Sequence, residues 1–324
     1  MKRRLLLGIS IVGLVVGGIP AEAAVTPHLE CARLALPSRN AALIFPDSTN
    51  AVQFRLYTNA APEASHRFNT FEIVAYGEHL LSSPAGECLQ RWLATSPTNA
   101  SLDNILINGA GPQLALTNSM TILEAASGPD WRYVAYDASQ AYHGILEKFH
   151  RGILFVQPDL FVLYDQVVAK EPVELKMQLQ LPAATRLDPI WRDLRLELPH
   201  AGLRINSPAS RHALRAWEAV ESTADSFLPG TRTLQLRPTN RLTQLNLLTV
   251  FVVYPGGAKK DFAFKLLESH SAVGARIHRE ALPTLVAFRT EASAGKVNLT
   301  GFEFQGPVGV SVFKPKQKTP QPEF

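Results

Sequence analysis

Apolar and polar residues alternate over several segments of the chain, which is the pattern of a β-strand with one buried face. In residues 52–57, Val, Phe and Leu alternate with Gln, Arg and Tyr. The same period of two recurs in residues 173–181 and 194–198. These segments predict half-buried antiparallel strands.

Residues 152–165 contain two apolar runs separated by Gln157, Pro158 and Asp159. Because Pro and Asp are turn residues, the segment predicts two buried strands joined by a turn. Further strand candidates lie at 245–254, 284–288, 296–304 and 308–313, with turn signals at 256–257, 293–295 and 306–307.

Helical periodicity is limited to residues 210–223, which are compatible with either a helix or a loop insertion. Many short strands at regular spacing favour an all-β fold. We therefore predict one large antiparallel β-sandwich of two layers with few short helices.

The first 23 residues have the three parts of a secretory signal peptide. A basic cluster at positions 2–4 precedes fifteen uncharged residues, and Ala-Glu-Ala at 21–23 supplies small residues for cleavage. A retained anchor is the alternative, but a span needs about 20 apolar residues. We expect an exported protein, periplasmic or extracellular, with no membrane span after cleavage. Its sandwich domain would cover 24–313, followed by a disordered basic, Pro-rich tail at 314–324.

Composition narrows the class of protein. Hydrophobic residues make up 46% and charged residues 19% of the chain, which excludes a disordered chain. Signal cleavage would remove three basic residues and Glu22 and lower the net charge from +4 to +2, so we expect no nucleic-acid partner. Two cysteines exclude a disulfide scaffold. Export permits a Cys31–Cys88 disulfide, and the sequence leaves the bridged and free forms open.

Standard active-site signatures are absent from the sequence. It has no G-x-S-x-G elbow, no P-loop, no G-x-G-x-x-G after a strand and no pair of histidines four residues apart. Spacing and composition alone therefore lead only to an exported all-β domain.

Three segments, at 65–87, 101–113 and 136–172, carry further information through their order. In chain order they contain Ser65-His66, Tyr76-Gly77-Glu78, the strand 105–111, Asp137-Ala138-Ser139-Gln140-Ala141-Tyr142, and a hairpin that opens at Arg151 and closes at Asp165. This order resembles the β-sandwich portion of heparinase II/III-like proteins, a family that includes alginate and heparin-type polysaccharide lyases. The resemblance implies that the sandwich is a lyase-type supersandwich.

The chemistry of these positions favours fold maintenance over catalysis for Tyr142, Arg151 and Asp165. We expect Tyr142 and Arg151 to form hydrogen bonds across strands. Asp165 is placed to cap a turn or to pair with Arg151.

In the family that the chain resembles, lyases cleave acidic polysaccharides by β-elimination, mostly with residues of an N-terminal helical toroid. Here the predicted signal peptide leads almost directly into the sandwich, so we expect no toroid. Where members often carry a metal-associated His, this chain has Leu102 or Asp103. One His and one Asn, His66 and Asn69, do not make a zinc site, so we expect no metal and no cofactor.

Six side chains on this edge are candidates for binding an acidic polysaccharide: His66, Arg67, Asn69, Arg91, Trp92 and Asn104. A guanidinium pairs with a carboxylate or sulfate, and an indole packs on a sugar face. The alternative is a buried Trp92 and a solvated Arg91.

Three hypotheses follow. The first is a non-catalytic exported sandwich that binds or presents an acidic polysaccharide, or supports a separate partner carrying the helical toroid. The second is an active polysaccharide lyase that uses His66 with Tyr76 or Tyr142 as its acid/base pair. The third is a structural envelope protein with no sugar ligand.

Overall fold

The structure, a computed structural model, describes residues 42–45, 52–57, 69–81, 104–112, 121–142, 144–182, 184–188, 193–208, 218–220, 231–258, 262–279, 283–291 and 295–313. The predicted signal peptide, both cysteines and the predicted tail lie outside these ranges. Within them, no helix has the length and apolar character needed to cross a membrane.

In the described residues the chain forms twenty-two β-strands and one 3-10 helix at Ser139–Tyr142. The strands, in chain order, are β1 (Ala42–Phe45), β2 (Val52–Tyr57), β3 (Phe71–Ala75), β4 (Glu78–Leu81), β5 (Asn104–Ile107), β6 (Thr121–Gly128), β7 (Trp131–Asp137), β8 (Leu146–Val156), β9 (Leu160–Val173), β10 (Leu175–Pro182), β11 (Arg186–Asp188), β12 (Asp193–Glu197), β13 (Ala201–Asn206), β14 (Glu218–Val220), β15 (Thr231–Leu236), β16 (Leu242–Pro255), β17 (Phe262–Glu268), β18 (Ala272–Arg279), β19 (Thr284–Arg289), β20 (Lys296–Leu299), β21 (Phe302–Gln305) and β22 (Val308–Val312).

An eight-stranded antiparallel sheet lies in the middle of the described fold, in the order β11-β12-β13-β16-β9-β8-β7-β6. Successive side chains of a strand point to opposite faces. Along β9, Phe161 and Leu163 therefore join one hydrophobic core, whereas Val162 and Tyr164 join another. The middle strands β9 and β16 of the central sheet are therefore buried on both faces over most of their length.

Two four-stranded sheets, β1-β2-β3-β4 and β14-β15-β10-β5, contribute to the core on the first face. Aromatic rings dominate its centre. Phe54 stacks on Phe71 with ring centroids 5.2 Å apart, and it meets Phe161 of the central sheet at 5.4 Å. Burial of such large apolar side chains is the main source of stability for this layer contact.

A third layer, the sheet β17-β18-β19-β22, covers the second face of the central sheet. Phe288 of β19 stacks on Tyr164 of β9 with ring centroids 5.1 Å apart. The hairpin β20–β21 packs on the other side of this layer through Leu299 and Phe304.

The predicted class, an all-β antiparallel sandwich with few short helices, is confirmed. The strands predicted at 52–57, 173–181, 194–198, 245–254, 284–288 and 308–313 and the two strands of the 152–165 hairpin are present. The structure adds a third layer to the two that were predicted, because the central sheet buries both of its faces.

The single strand predicted at 296–304 is wrong, because the chain turns back at Thr300 and Gly301 to form the hairpin β20–β21. These two residues have left-handed φ values of 50° and 89°. The Gly301 amide donates to Asn298 Oδ1 at 2.9 Å, which stabilises the turn.

The prediction of a helix or a loop insertion at 210–223 is wrong for the described part of that segment. Residues 218–220 form β14, which pairs with β15, so they are neither helix nor loop. Pairing with a neighbouring strand overrides the local helical spacing of apolar residues. The rest of the segment lies outside the described residues.

Candidate functional site

The first polar group of interest is a buried ion pair between adjacent strands of the central sheet. Arg151 on β8 stands opposite Asp165 on β9. Arg151 Nε and Nη2 donate to the two Asp165 carboxylate oxygens at 2.5 and 3.0 Å, with both side chains fully buried. Burial raises the pKa of Asp165, and the adjacent guanidinium opposes that shift.

Two asparagines extend this ion pair into a buried network. Arg151 Nη1 donates to the Asn69 main-chain oxygen at 2.9 Å and to Asn69 Oδ1 at 3.0 Å. Tyr136 Oη also donates to Asn69 Oδ1, at 2.7 Å. Asn69 Nδ2 donates to Asn104 Oδ1 at 3.1 Å, and Tyr142 Oη donates to the Ile105 carbonyl at 2.9 Å. Local backbone geometry contributes, because Asn69 adopts a left-handed φ of 60° that asparagine tolerates.

The network gives a structural account of several residues singled out in the sequence. Of the two roles expected of Asp165, capping a turn or pairing with Arg151, the structure shows the pairing. Tyr142 Oη also donates to Asn104 Oδ1 at 3.3 Å, so both of its bonds reach the strand β5. Asn69 and Asn104, predicted to bind a polysaccharide, are fully buried and bond to one another.

The catalytic candidates Tyr76 and Tyr142 lie in different surroundings. Tyr142 is buried in the network, where burial raises the pKa of its hydroxyl well above the usual range. Tyr76 sits at the β3–β4 turn with a φ of 49°, and burial, followed by the nearby Asp159, raises the pKa of its hydroxyl. His66, Arg67, Arg91 and Trp92 lie outside the described residues.

A separate cleft of about 560 Å³ opens between the central sheet and the third layer. Its polar lining includes Glu124, Lys148, His150, Gln166, Arg289 and Glu291. Lys148 and His150 are alternate residues of β8, so both face the cleft while Phe149 between them faces the first core. Across the sheet, His150 stands opposite Asp137 on β7 and Gln166 on β9.

Side chain to main-chain bonds organise the rim of the cleft. Gln166 Nε2 donates to the Thr290 carbonyl at 2.7 Å and so joins the central sheet to the end of β19. Arg289 Nε donates to the Gly306 carbonyl at 3.1 Å, and its Nη2 donates to the Gly295 carbonyl at 2.6 Å. These bonds hold the guanidinium in one place, which preorganises a positive group beside the cleft.

Partial burial changes the protonation behaviour of three groups in the cleft. It raises the pKa of Glu124, an effect that a hydrogen bond from Tyr133 Oη at 3.3 Å opposes. It lowers the pKa of Lys148. It also lowers the pKa of His150, and the neighbouring positive charge of Lys148 lowers it further. His150 is therefore mostly neutral at neutral pH.

None of the residues singled out in the sequence indicated this cleft. The one local signal is the alternation in Glu147–His150, which places Lys148 and His150 on the same face of β8. Nothing local indicates that Arg289, more than 130 residues later, comes to the same place. Such clefts form where two layers meet, and the meeting depends on tertiary packing.

In the described part of the chain, no group of three or more His, Cys, Asp or Glu is arranged to hold a metal ion. His66, the expected remnant of a family metal cluster, lies outside that part. The expectation of no metal stays a prediction.

Comparisons with known proteins bear on the fold. No protein-family model matches the sequence, and no curated protein matches it. A heparan sulfate lyase structure, HepC from Pedobacter heparinus, is similar with a TM-score of 0.58 and 14% identity, covering 79% of this chain and 42% of that one. A heparinase III structure has a TM-score of 0.55 and 13% identity, covering 77% of this chain and 41% of that one.

These similarities define the class of fold, a heparinase-like β-sandwich. At such low identity they concern the fold alone. The chain spans about two fifths of the length of the solved structures that it matches.

Proposed function

We propose that this chain is an exported β-sandwich protein that binds an acidic polysaccharide in the cleft without cleaving it. The observation that carries the proposal is the convergence of Lys148 and Arg289 with Gln166 and His150 in one cleft, on a fold shared with solved heparinases. The similarity of the fold to solved heparinases favours a polysaccharide as the ligand. The cleft supplies the groups that such a ligand needs.

The lining suits a sugar that carries both an anion and hydroxyl groups. Lys148 and Arg289 can pair with a carboxylate or sulfate. The amide of Gln166 and the carboxylates of Glu124 and Glu291 can exchange hydrogen bonds with hydroxyls. The volume of about 560 Å³ lies within the range of roughly 300–1,000 Å³ usual for small-ligand sites.

Export rests on the signal-like first 23 residues, and a periplasmic or extracellular protein would meet such polymers directly. A separate helical partner for the sandwich stays a prediction, as does a glycan edge that includes His66, Arg67, Arg91 and Trp92.

A second candidate function, polysaccharide lyase activity in the same cleft, is favoured by His150. β-Elimination needs a base for the proton next to the uronate carboxylate, a cation to neutralise that carboxylate, and an acid for the leaving oxygen. A neutral imidazole can accept that proton, and Lys148 and Arg289 can neutralise the carboxylate.

Retention on affinity gels containing alginate, heparin or chondroitin tests the binding proposal. We expect retardation on at least one polymer. Lys148→Gln should weaken binding by about fivefold, since one partly exposed charge contact contributes roughly 1 kcal/mol. Lys265→Gln, a change at an exposed lysine of β17, is the matched control and should leave binding unchanged. No retardation on any polymer would support a structural role instead.

The two candidate functions are separated by a product assay. Incubation with the same three polymers should produce no ultraviolet absorbance from an unsaturated uronate. Growth of that absorbance would contradict the non-catalytic proposal. Its loss in His150→Ala, in His66→Ala or in both would identify the base.

A further inference from the structure

We propose that His150 makes polyanion binding in this cleft strengthen as the solution becomes more acidic. The inference rests on the proposed binding function and adds a form of regulation to it. It starts from the position of the imidazole, which is half-buried on β8 and lines the cleft.

The side chains that line the cleft with His150 carry two positive and two negative charges. Lys148 lies two residues away on β8, and Arg289 at the end of β19 is the second cation of the lining. Glu124 on β6 and Glu291 just after β19 are its two carboxylates. With a neutral imidazole, the formal charges of the lining cancel, and one proton on His150 makes the lining positive.

One further charged group, Asp137 on β7, acts on His150. Asp137 stands opposite it in the strand register, but Asp137 Oδ1 accepts bonds from Ser139 N at 2.8 Å and Ser139 Oγ at 2.6 Å. Tyr133 is buried and its hydroxyl donates to Glu124. Asp137 favours the protonated imidazole, whereas burial and Lys148 oppose it.

The sign of the effect follows from linkage. Burial and Lys148 lower the pKa of His150 in the free protein. An anion bound next to the imidazole stabilises its protonated form and raises the pKa of His150 in the complex. The complex therefore takes up a proton, and affinity rises as pH falls through the pKa of the complex.

Glu124 acts in the same direction. Because burial raises the pKa of its carboxyl group, Glu124 loses its negative charge earlier on acidification than an ordinary glutamate does. Repulsion of an anionic ligand weakens accordingly. Both groups therefore make the cleft more positive as the solution becomes more acidic.

The experiment measures the affinity of the full chain for alginate oligomers by calorimetry at pH 7.5, 6.5 and 5.5, at constant ionic strength. The wild-type affinity should increase by about threefold to tenfold over this range, the effect of one partly exposed charge. In His150→Gln, which keeps a neutral polar side chain, most of the increase should disappear. Glu124→Gln should raise affinity at pH 7.5.

His278→Gln is the matched control, because His278 is exposed on β18 and does not line the cleft. It should keep the full wild-type pH response. If the response is instead lost in His278→Gln, or persists unchanged in His150→Gln, the inference is wrong.

Failure of the inference and failure of the proposed function give different results. Wild-type binding that does not vary with pH overturns the inference and leaves the binding function in place. No wild-type binding at any pH overturns the binding function. Should His150→Gln fail to fold, an NMR titration of the wild-type His150 imidazole decides, because its pKa must rise when alginate oligomers bind.

Discussion

At the residue scale, the most deeply buried charged groups in the described part of the chain are the ion pair of Arg151 and Asp165. Arg151 and Asp165 are completely buried, and a buried charge is tolerated only when it is paired and fully hydrogen-bonded. Asn69 supplies the remaining acceptors for the guanidinium. The rings of Phe71 and Phe149 lie 5.7 and 5.2 Å from the guanidinium carbon, which adds cation–π contacts.

Replacing Asp165 with Asn should destabilise the protein strongly. The change leaves the Arg151 guanidinium buried without a counter-charge, so the free energy of unfolding should fall by about 3–5 kcal/mol. Urea denaturation followed by circular dichroism measures this loss. The double variant Arg151→Met with Asp165→Leu should recover part of it, and a single variant as stable as the wild type would contradict the role assigned to the pair.

At the scale of single elements, turns decide where strands end. The hairpin β20–β21 depends on two residues with positive φ, and only Gly301 adopts that conformation without strain. Thr300 has a β-branched side chain, for which a φ of 50° is unfavourable. The hairpin is kept because Leu299 and Phe304 are buried against the third layer.

Thr300→Asn should therefore stabilise the protein. Asn-Gly is the preferred pair for a two-residue turn with positive φ at both positions, and the gain should be about 0.5–1 kcal/mol. Thermal unfolding measures it as a higher midpoint. Thr300→Val, which keeps the β-branch, is the control and should not stabilise. A lower midpoint for Thr300→Asn would show that the Thr300 hydroxyl makes a contribution not evident from its contacts.

At the scale of the whole molecule, the central sheet belongs to two cores at once. Alternate residues of β9 and β16 face opposite layers, as Phe251 and Val252 illustrate. A change in one core therefore acts on the same strands that support the other.

Phe288→Ala tests this coupling. Phe288 is fully buried and stacks on Tyr164, so the cavity should lower the free energy of unfolding by about 3–5 kcal/mol. Near- and far-ultraviolet circular dichroism should show coincident transitions at a lower denaturant concentration. Phe302→Ala, in the partly exposed ring of the outer hairpin, is the control and should cost less. Two separate transitions would mean that the third layer unfolds independently.

Local patterns predicted eight of the twenty-two described strands, because alternation at period two reports which side chains are buried. The hairpin β8–β9 could be predicted from its apolar runs and its Pro-Asp turn. The pairing of Arg151 with Asp165 was predictable for the same reason, since both lie on that one hairpin. The turn of a hairpin sets which residues of its two strands face each other, so no distant contact is needed to predict such a pair.

Distant contacts explain what could not be predicted. Asn69 reaches Arg151 across 82 positions, and Gln166 reaches the Thr290 carbonyl across 124. Asn69 and Asn104 carry no local signal that separates a buried network residue from a ligand-binding one. The cleft at His150 depends on the third layer, whose position over the central sheet has no local signature.

By itself the sequence determined an all-β antiparallel fold, several of its strands and the buried hairpin that carries Arg151 and Asp165, because burial patterns and turn residues act over a few neighbouring positions. Only the tertiary structure decided that the central sheet is covered on both faces and that Lys148, His150 and Arg289 share one cleft. Those outcomes depend on which apolar surfaces meet, and that choice is made by packing between strands far apart in the chain.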